Sequence, residues 1–201
     1  MEKADYIVKL LVIGDSQTGK TSLIARYLTG SFGGQIDDSF KWSCHHKNLT
    51  IENTNYWLMI WNSKAYNTTK TLPKFCTHSS HIILLCYDIS NLSTFQNLDS
   101  WVNEIENYSL DSLVVLIGNK SDCKSKRQVS YEEGLQFANE HNFLFFETSS
   151  KDDINVAHTF ESGLKNYIET NDVNNTLYLW RKYDFRPFQN SNRYNSWSLG
   201  L

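Results

Sequence analysis

Gly14-Asp15-Ser16-Gln17-Thr18-Gly19-Lys20-Thr21 fits the pattern GxxxxGK[ST], whose chemistry is the cradling of phosphates. In such a loop the backbone N–H groups and a helix N-terminus meet the phosphate oxygens. Lys20 would add a point charge to the outer phosphates, and the Thr21 hydroxyl would ligate Mg²⁺. Further along, Asn119-Lys120-Ser121-Asp122 supplies a reader for the base. A carboxylate at Asp122 can accept two hydrogen bonds from guanine, at N1–H and the exocyclic amine. Adenine has no matching donor pair, so the pattern predicts guanine over adenine.

These residues need rigid elements behind them. Tyr6 to Gly14 is a β-branched, mostly apolar run ending in glycine, and Leu23, Ile24, Tyr27 and Leu28 lie on one face of a helix over 21–28. Strand, loop and helix therefore bracket the phosphate motif, as it requires. Further strands are predicted at Trp57–Trp61, Ile82–Tyr87, Leu113–Ile117 and Phe143–Phe146, with helices over Phe95–Tyr108, Tyr131–His141 and Asp153–Thr170. The stretch from Gly30 to Asn55 reads as a loop followed by an edge hairpin. Such alternation predicts an α/β fold, with a mostly parallel six-stranded sheet and helices on both faces.

With 201 residues and 40% hydrophobic content, the chain can bury one core; the reading is one domain over 1–170 and a tail over 171–201. A net charge of -3 and a pI of about 6.1 give no footprint for nucleic acid. Cys44, Cys76, Cys86 and Cys123 are scattered, two of them in predicted strands, which suits reduced thiols and a cytoplasmic setting. The longest apolar run, Ile82 to Tyr87, is too short to cross a bilayer.

Taken with Tyr87-Asp88-Ile89-Ser90, Thr94-Phe95-Gln96-Asn97-Leu98 with Trp101, Leu116 to Asp122, and Glu147-Thr148-Ser149-Ser150-Lys151, the chain resembles a Ras-superfamily GTPase. It is most similar to the Rab family, across residues 6 to 170. The resemblance implies the small G-protein form of the phosphate-loop NTPase fold, GTP or GDP with Mg²⁺, and control of vesicle traffic by binding effector proteins. It also implies that Ser149, Ser150 and Lys151 face the guanine beside Asn119, Lys120 and Asp122. Phe32, twelve residues after Lys20, stands where the family sets an aromatic ring against the base; a plain loop anchor is the equal alternative.

Departures from the family concentrate in its switch segments. Asn62-Ser63-Lys64-Ala65-Tyr66 replaces DTAGQ, so Asn62 stands for the acid that helps hold Mg²⁺. Ala65 replaces the glycine whose N–H senses the terminal phosphate, and Tyr66 the glutamine that orients the attacking water. A lost charge beside a dication predicts weakly held Mg²⁺, since a unit pair at 4 Å is worth about 4 kcal/mol at an effective dielectric of 20. Tyr66 predicts very slow intrinsic hydrolysis, unless another side chain or a partner positions the water. A phosphate-loop enzyme of another class is the remaining alternative. Ser39 takes the Mg²⁺-binding threonine's place in a gapless count, and Gln35 takes it in a gapped one. Phe40 to Cys44 replaces IGVDF, which rewrites the effector surface. Gln17 occupies a usual glycine position; a positive φ there costs on the order of 1 kcal/mol.

Cys44-His45-His46 points its side chains to alternate faces of a strand and makes no metal site by itself. His78 and His81 read as a solvated helix end. The triplets at Asn48, Asn67 and Asn91 match a glycosylation pattern that is irrelevant in the cytosol. The tail gathers Tyr178, Trp180, Tyr183, Phe185, Phe188, Tyr194 and Trp197 with Arg181, Lys182, Arg186 and Arg193, readable as a membrane-touching, partner-binding or disordered segment. With Glu2 and no cysteine after Cys123, neither myristoyl nor prenyl attachment is expected. Membrane contact would then be peripheral, through a partner or the tail.

Overall fold

The computed structural model describes residues 4–36, 42–63, 80–108 and 111–171. Six strands of the described residues form one sheet: β1 (Tyr6–Gly14), β2 (Trp42–Ile51), β3 (Thr54–Ser63), β4 (Ile82–Asp88), β5 (Leu113–Asn119) and β6 (Leu144–Thr148). Their order is β2-β3-β1-β4-β5-β6. β1 pairs in parallel with β3 and β4, and β5 continues the parallel run with β4 and β6. Only β2 runs antiparallel, paired with β3 at the edge. The hairpin between them turns at Glu52 and Asn53, at φ 48 and 64, the double positive φ that matches strand twist in a two-residue turn.

Among the described residues, five helices pack on this sheet: α1 (Lys20–Thr29), α2 (Leu92–Gln96), α3 (Leu98–Tyr108), α4 (Tyr131–Glu140) and α5 (Val156–Thr170). Alternation along the central strand β1 divides the core. Val8, Leu10 and Val12 join Leu23, Ile24 and Tyr27 of α1 and Phe160, Leu164 and Tyr167 of α5. Leu11 and Ile13 point the other way, to Trp101, Val102 and Ile105 of α3 and Ala138 of α4. A strand buried on both faces must be apolar at nearly every position, as β1 and β4 are. Helices on both faces and a mostly parallel sheet are the architecture expected from the sequence.

Boundaries differ where polar side chains intervene. The helix expected over Phe95–Tyr108 is two, because Asn91 caps α2 by accepting from Ser93 N–H and Asn97 closes it. α5 begins at Val156 rather than Asp153, since Asp153 and Asn155 take φ 58 and 55, outside the helical region. β3 extends three residues before Trp57, and β6 runs from Leu144 to Thr148.

His81 overturns its expected place at a solvated helix end. It is buried, 5% exposed, and its Nδ1 accepts a hydrogen bond from the Lys9 backbone N–H at 2.8 Å. Its own N–H and C=O extend the sheet, bonding Lys9 O and Leu113 N–H. His78 lies outside the described residues. Burial, assisted by the Lys9 charge, pushes the His81 imidazole down to about 4. A depressed folded-state value means that the unfolded chain binds the proton more readily. Stability is therefore full above pH 6.5 and falls as pH drops towards 4, by about 3 kcal/mol in all. Urea unfolding from pH 7 to 4 should show this slope. His81→Asn, whose carbonyl can replace the Nδ1 acceptor, should flatten it.

Candidate functional site

The loop from β1 to α1 is shaped by close backbone approach. Gly14 has φ 131, and a Cβ there would strike the Cys86 carbonyl oxygen of β4. At Gly19, φ 90, a Cβ would strike the Asn119 side-chain amide. Only glycine fits either place. Gln17 between them takes φ 64, so the positive φ considered from sequence is present, with its strain of about 1 kcal/mol. Thr18, fully buried, donates its hydroxyl to Asp15 O at 2.9 Å.

Lys20 opens α1 and folds back over the loop. Its Nζ donates to Gly14 O at 2.8 Å and Asp15 O at 2.6 Å, and the residue is 5% exposed. Burial lowers its pKa from the ordinary lysine value, opposed by the charge of Asp15. Gly19 as N-cap brings no side-chain acceptor, and the first turn of α1 holds no acid. The first-turn amides thus keep their capacity for an anion. A cleft of about 290 Å³ lies over this end, lined by Gln17, Gly19, Lys20, Thr21, Ser22 and Lys120. Backbone amides, Lys20 and Lys120 fit a polyphosphate.

On the far side of the cleft, Asn119 ends β5 as a brace. Its Nδ2 donates to Thr18 O at 2.8 Å, and its Oδ1 accepts from Thr148 Oγ1 at 3.0 Å. One buried amide thus ties the phosphate loop to the end of β6. Lys120, at φ 65, reaches Asp88 Oδ2 at 2.6 Å. Burial alone would raise the Asp88 carboxyl, but hydrogen bonds from Lys120 and Ser90 outweigh it and hold it below the ordinary value.

Asp122 is met by the loop after β6. Ser149 Oγ donates to Asp122 Oδ1 at 2.7 Å while accepting from Asp152 N–H at 3.0 Å. Cys123 Sγ lies 3.6 Å from Oδ2. Ser149 and Ser150 are buried and Lys151 is exposed. Sequence reasoning missed Arg26, which fixes this loop. From the last turn of α1, its Nε donates to Ser150 O at 2.7 Å and its Nη2 to Lys151 O at 2.8 Å. Its Nη1 donates to Gly30 O at 2.9 Å, closing the helix end. No local pattern announces a contact across 124 positions; a base in the last helical turn was the only hint.

Phe32 is 56% exposed. Gln35 is exposed too, whereas Ser39, Ala65 and Tyr66 lie outside the described residues, as do Cys76 and the tail beyond Asn171. Asn62 is described. It is fully buried at the end of β3, and its Nδ2 donates to Thr21 Oγ1 at 3.0 Å. The Thr21 oxygen suits a hard cation such as Mg²⁺. The amide facing it supplies no negative charge, and it turns its N–H rather than its Oδ1 to the Thr21 oxygen.

Residues 9–169 match the family model described as Ras family. The chain is 34% identical over 158 residues to Ras-related protein RabQ of Dictyostelium discoideum, spanning 78% of each chain. It is 35% identical to Ras-related protein Rab-13 of Canis lupus familiaris, over 81% of each. With Ras-related protein Rab-3A of Homo sapiens the identity is 36%, over 78% of this chain and 72% of that one.

Proposed function

This chain belongs to the Ras family of small GTPases, close to the Rab proteins, and from that premise we propose that it regulates membrane traffic as a guanine-nucleotide-binding module with impaired hydrolysis. The observation that carries the reading is the Asn62 amide donating to Thr21 Oγ1. Residues 1–170 act as the nucleotide-binding domain and 171–201 as a tail. The chain works in the cytoplasm and meets membranes through a partner or that tail.

The residues divide the work by chemistry. The α1 amides and Lys20 bind phosphate oxygens, Asp122 reads the guanine edge, and Ser149 and Arg26 hold Asp122 and the 149–151 backbone in place. Mg²⁺, when bound, would supply neutralisation of the phosphate charge. Thr21 would hold it, with Ser39 as a second hydroxyl. Asn62 brings no negative charge to that ion and competes for the Thr21 oxygen, so the ion is held loosely. Tyr66 has no paired amide donor and acceptor with which to orient water, which removes a positioning contribution this reaction depends on.

Single-turnover GTP hydrolysis in excess Mg²⁺ tests the proposal. The expected rate is at least about 10²-fold below that of a Rab protein assayed alongside; an equal rate would refute the impairment. A large acceleration by cell extract would instead indicate a switch completed by a partner. Asn62→Asp should raise Mg²⁺ affinity by about tenfold, the equivalent of roughly 1.4 kcal/mol. The readout is the Mg²⁺ concentration that half-suppresses nucleotide release.

A further inference from the structure

Asp15 places a carboxylate inside a loop whose partner is an anion. Both of its oxygens are held from outside that loop: Oδ2 accepts from Asn97 Nδ2 at 2.6 Å, and Oδ1 from Trp101 Nε1 at 2.8 Å. Trp101 is 1% exposed, packed among Leu98, Val102 and Ile105 of its own helix. Asn97 stands at the junction of α2 and α3, where its N–H bonds Ser93 O. The indole is therefore fixed by the core and the amide by a helix junction. Neither donor is a floppy surface group. Meanwhile the Asp15 main-chain carbonyl accepts from Lys20 Nζ and Thr18 Oγ1. One residue thus grips the phosphate-binding lysine with its backbone and is itself gripped through its side chain.

We propose that Asn97 and Trp101 are positioning residues of the phosphate loop: by holding both Asp15 oxygens they keep that charge turned away from bound phosphates and fix the carbonyl that seats Lys20. The inference rests on the reading that the cleft binds a guanine nucleotide. Charged hydrogen bonds are the strong ones, and two of them pin a carboxylate far better than solvent does. A carboxylate released into the loop would repel the phosphates across a short, poorly screened distance.

The test measures release of fluorescent GDP from the full chain, alongside thermal unfolding of the nucleotide-stripped chain. Asn97→Asp sets carboxylate against carboxylate at a partly exposed site and should accelerate release by about tenfold or more, less so in high salt. Adding Asp15→Asn exchanges donor and acceptor across the same pair and should bring release back to within about threefold of the parent. Trp101→Phe, which keeps the ring and removes the N–H donor, should also accelerate release and be relieved by Asp15→Asn. Unchanged release in Asn97→Asp overturns the proposal. So does acceleration that Asp15→Asn leaves undiminished, since that marks lost packing rather than a freed charge. Failure of the parent chain to bind GDP at all would overturn the nucleotide reading itself, a separate and earlier result.

Discussion

Asp122→Ala is expected to weaken GDP and GTP binding by at least about 10³-fold, and to bring the affinities for guanine and adenine nucleotides close together. A site built to hydrogen-bond its ligand discriminates by roughly 10⁴ to 10⁵ against one lacking the partner group. Removing the protein's half of the pair forfeits most of that. Asp122 is oriented by the protein itself, because Ser149 Oγ donates to Oδ1. Ser149 is fully buried, so the substitution also strips its hydroxyl of an acceptor, at about 1–3 kcal/mol. Stability of the stripped chain should fall modestly while base discrimination collapses. Titration of fluorescent GDP with ATP as competitor measures the second effect, and urea unfolding the first. Retained preference for guanine after the substitution would remove Asp122 from the base site.

Lys20→Met is expected to lower nucleotide affinity by about 10² to 10⁴, since charge-assisted hydrogen bonds contribute about 1.5–3 kcal/mol each and the ammonium serves the outer phosphates. The stripped chain should behave differently. The ammonium is held by two main-chain carbonyls, and burial lowers its pKa, so the folded state bears a desolvation cost for this charge. Methionine fills similar space without that charge. Unfolding of the nucleotide-free variant should occur at equal or higher urea, though binding is crippled. Loss of both together would make Lys20 a structural residue.

Local chemistry made much of this readable in advance. A strand, a glycine loop and a helix start are consecutive, so phosphate-loop geometry is written in neighbouring residues; even the positive φ of Gln17 was foreseeable from the glycine expected there. The hairpin at the sheet edge was foreseeable for the same reason. Errors fell where a distant element decides. His81 was read as solvated because it borders the polar stretch ending at Ser80, yet the Lys9 N–H on the adjoining strand takes its ring nitrogen into the sheet. The helix break at Asn97 depends on caps that apolar periodicity does not register.

Residue types and spacing alone determined which groups the chain offers: a GxxxxGK[ST] loop, the carboxylate of Asp122 proposed to read guanine, and an amide at Asn62 where the proposed Mg²⁺ site would call for an acid. Tertiary structure decided how those groups are aimed. It brought Asn119 onto the carbonyl of Thr18 in the phosphate loop, Arg26 onto the carbonyls of Ser150 and Lys151, and Asn97 and Trp101 onto the carboxylate of Asp15. Each of those bonds spans 82 to 125 positions. Directional hydrogen bonds between such distant residues depend on sheet order and helix packing, which no local pattern encodes.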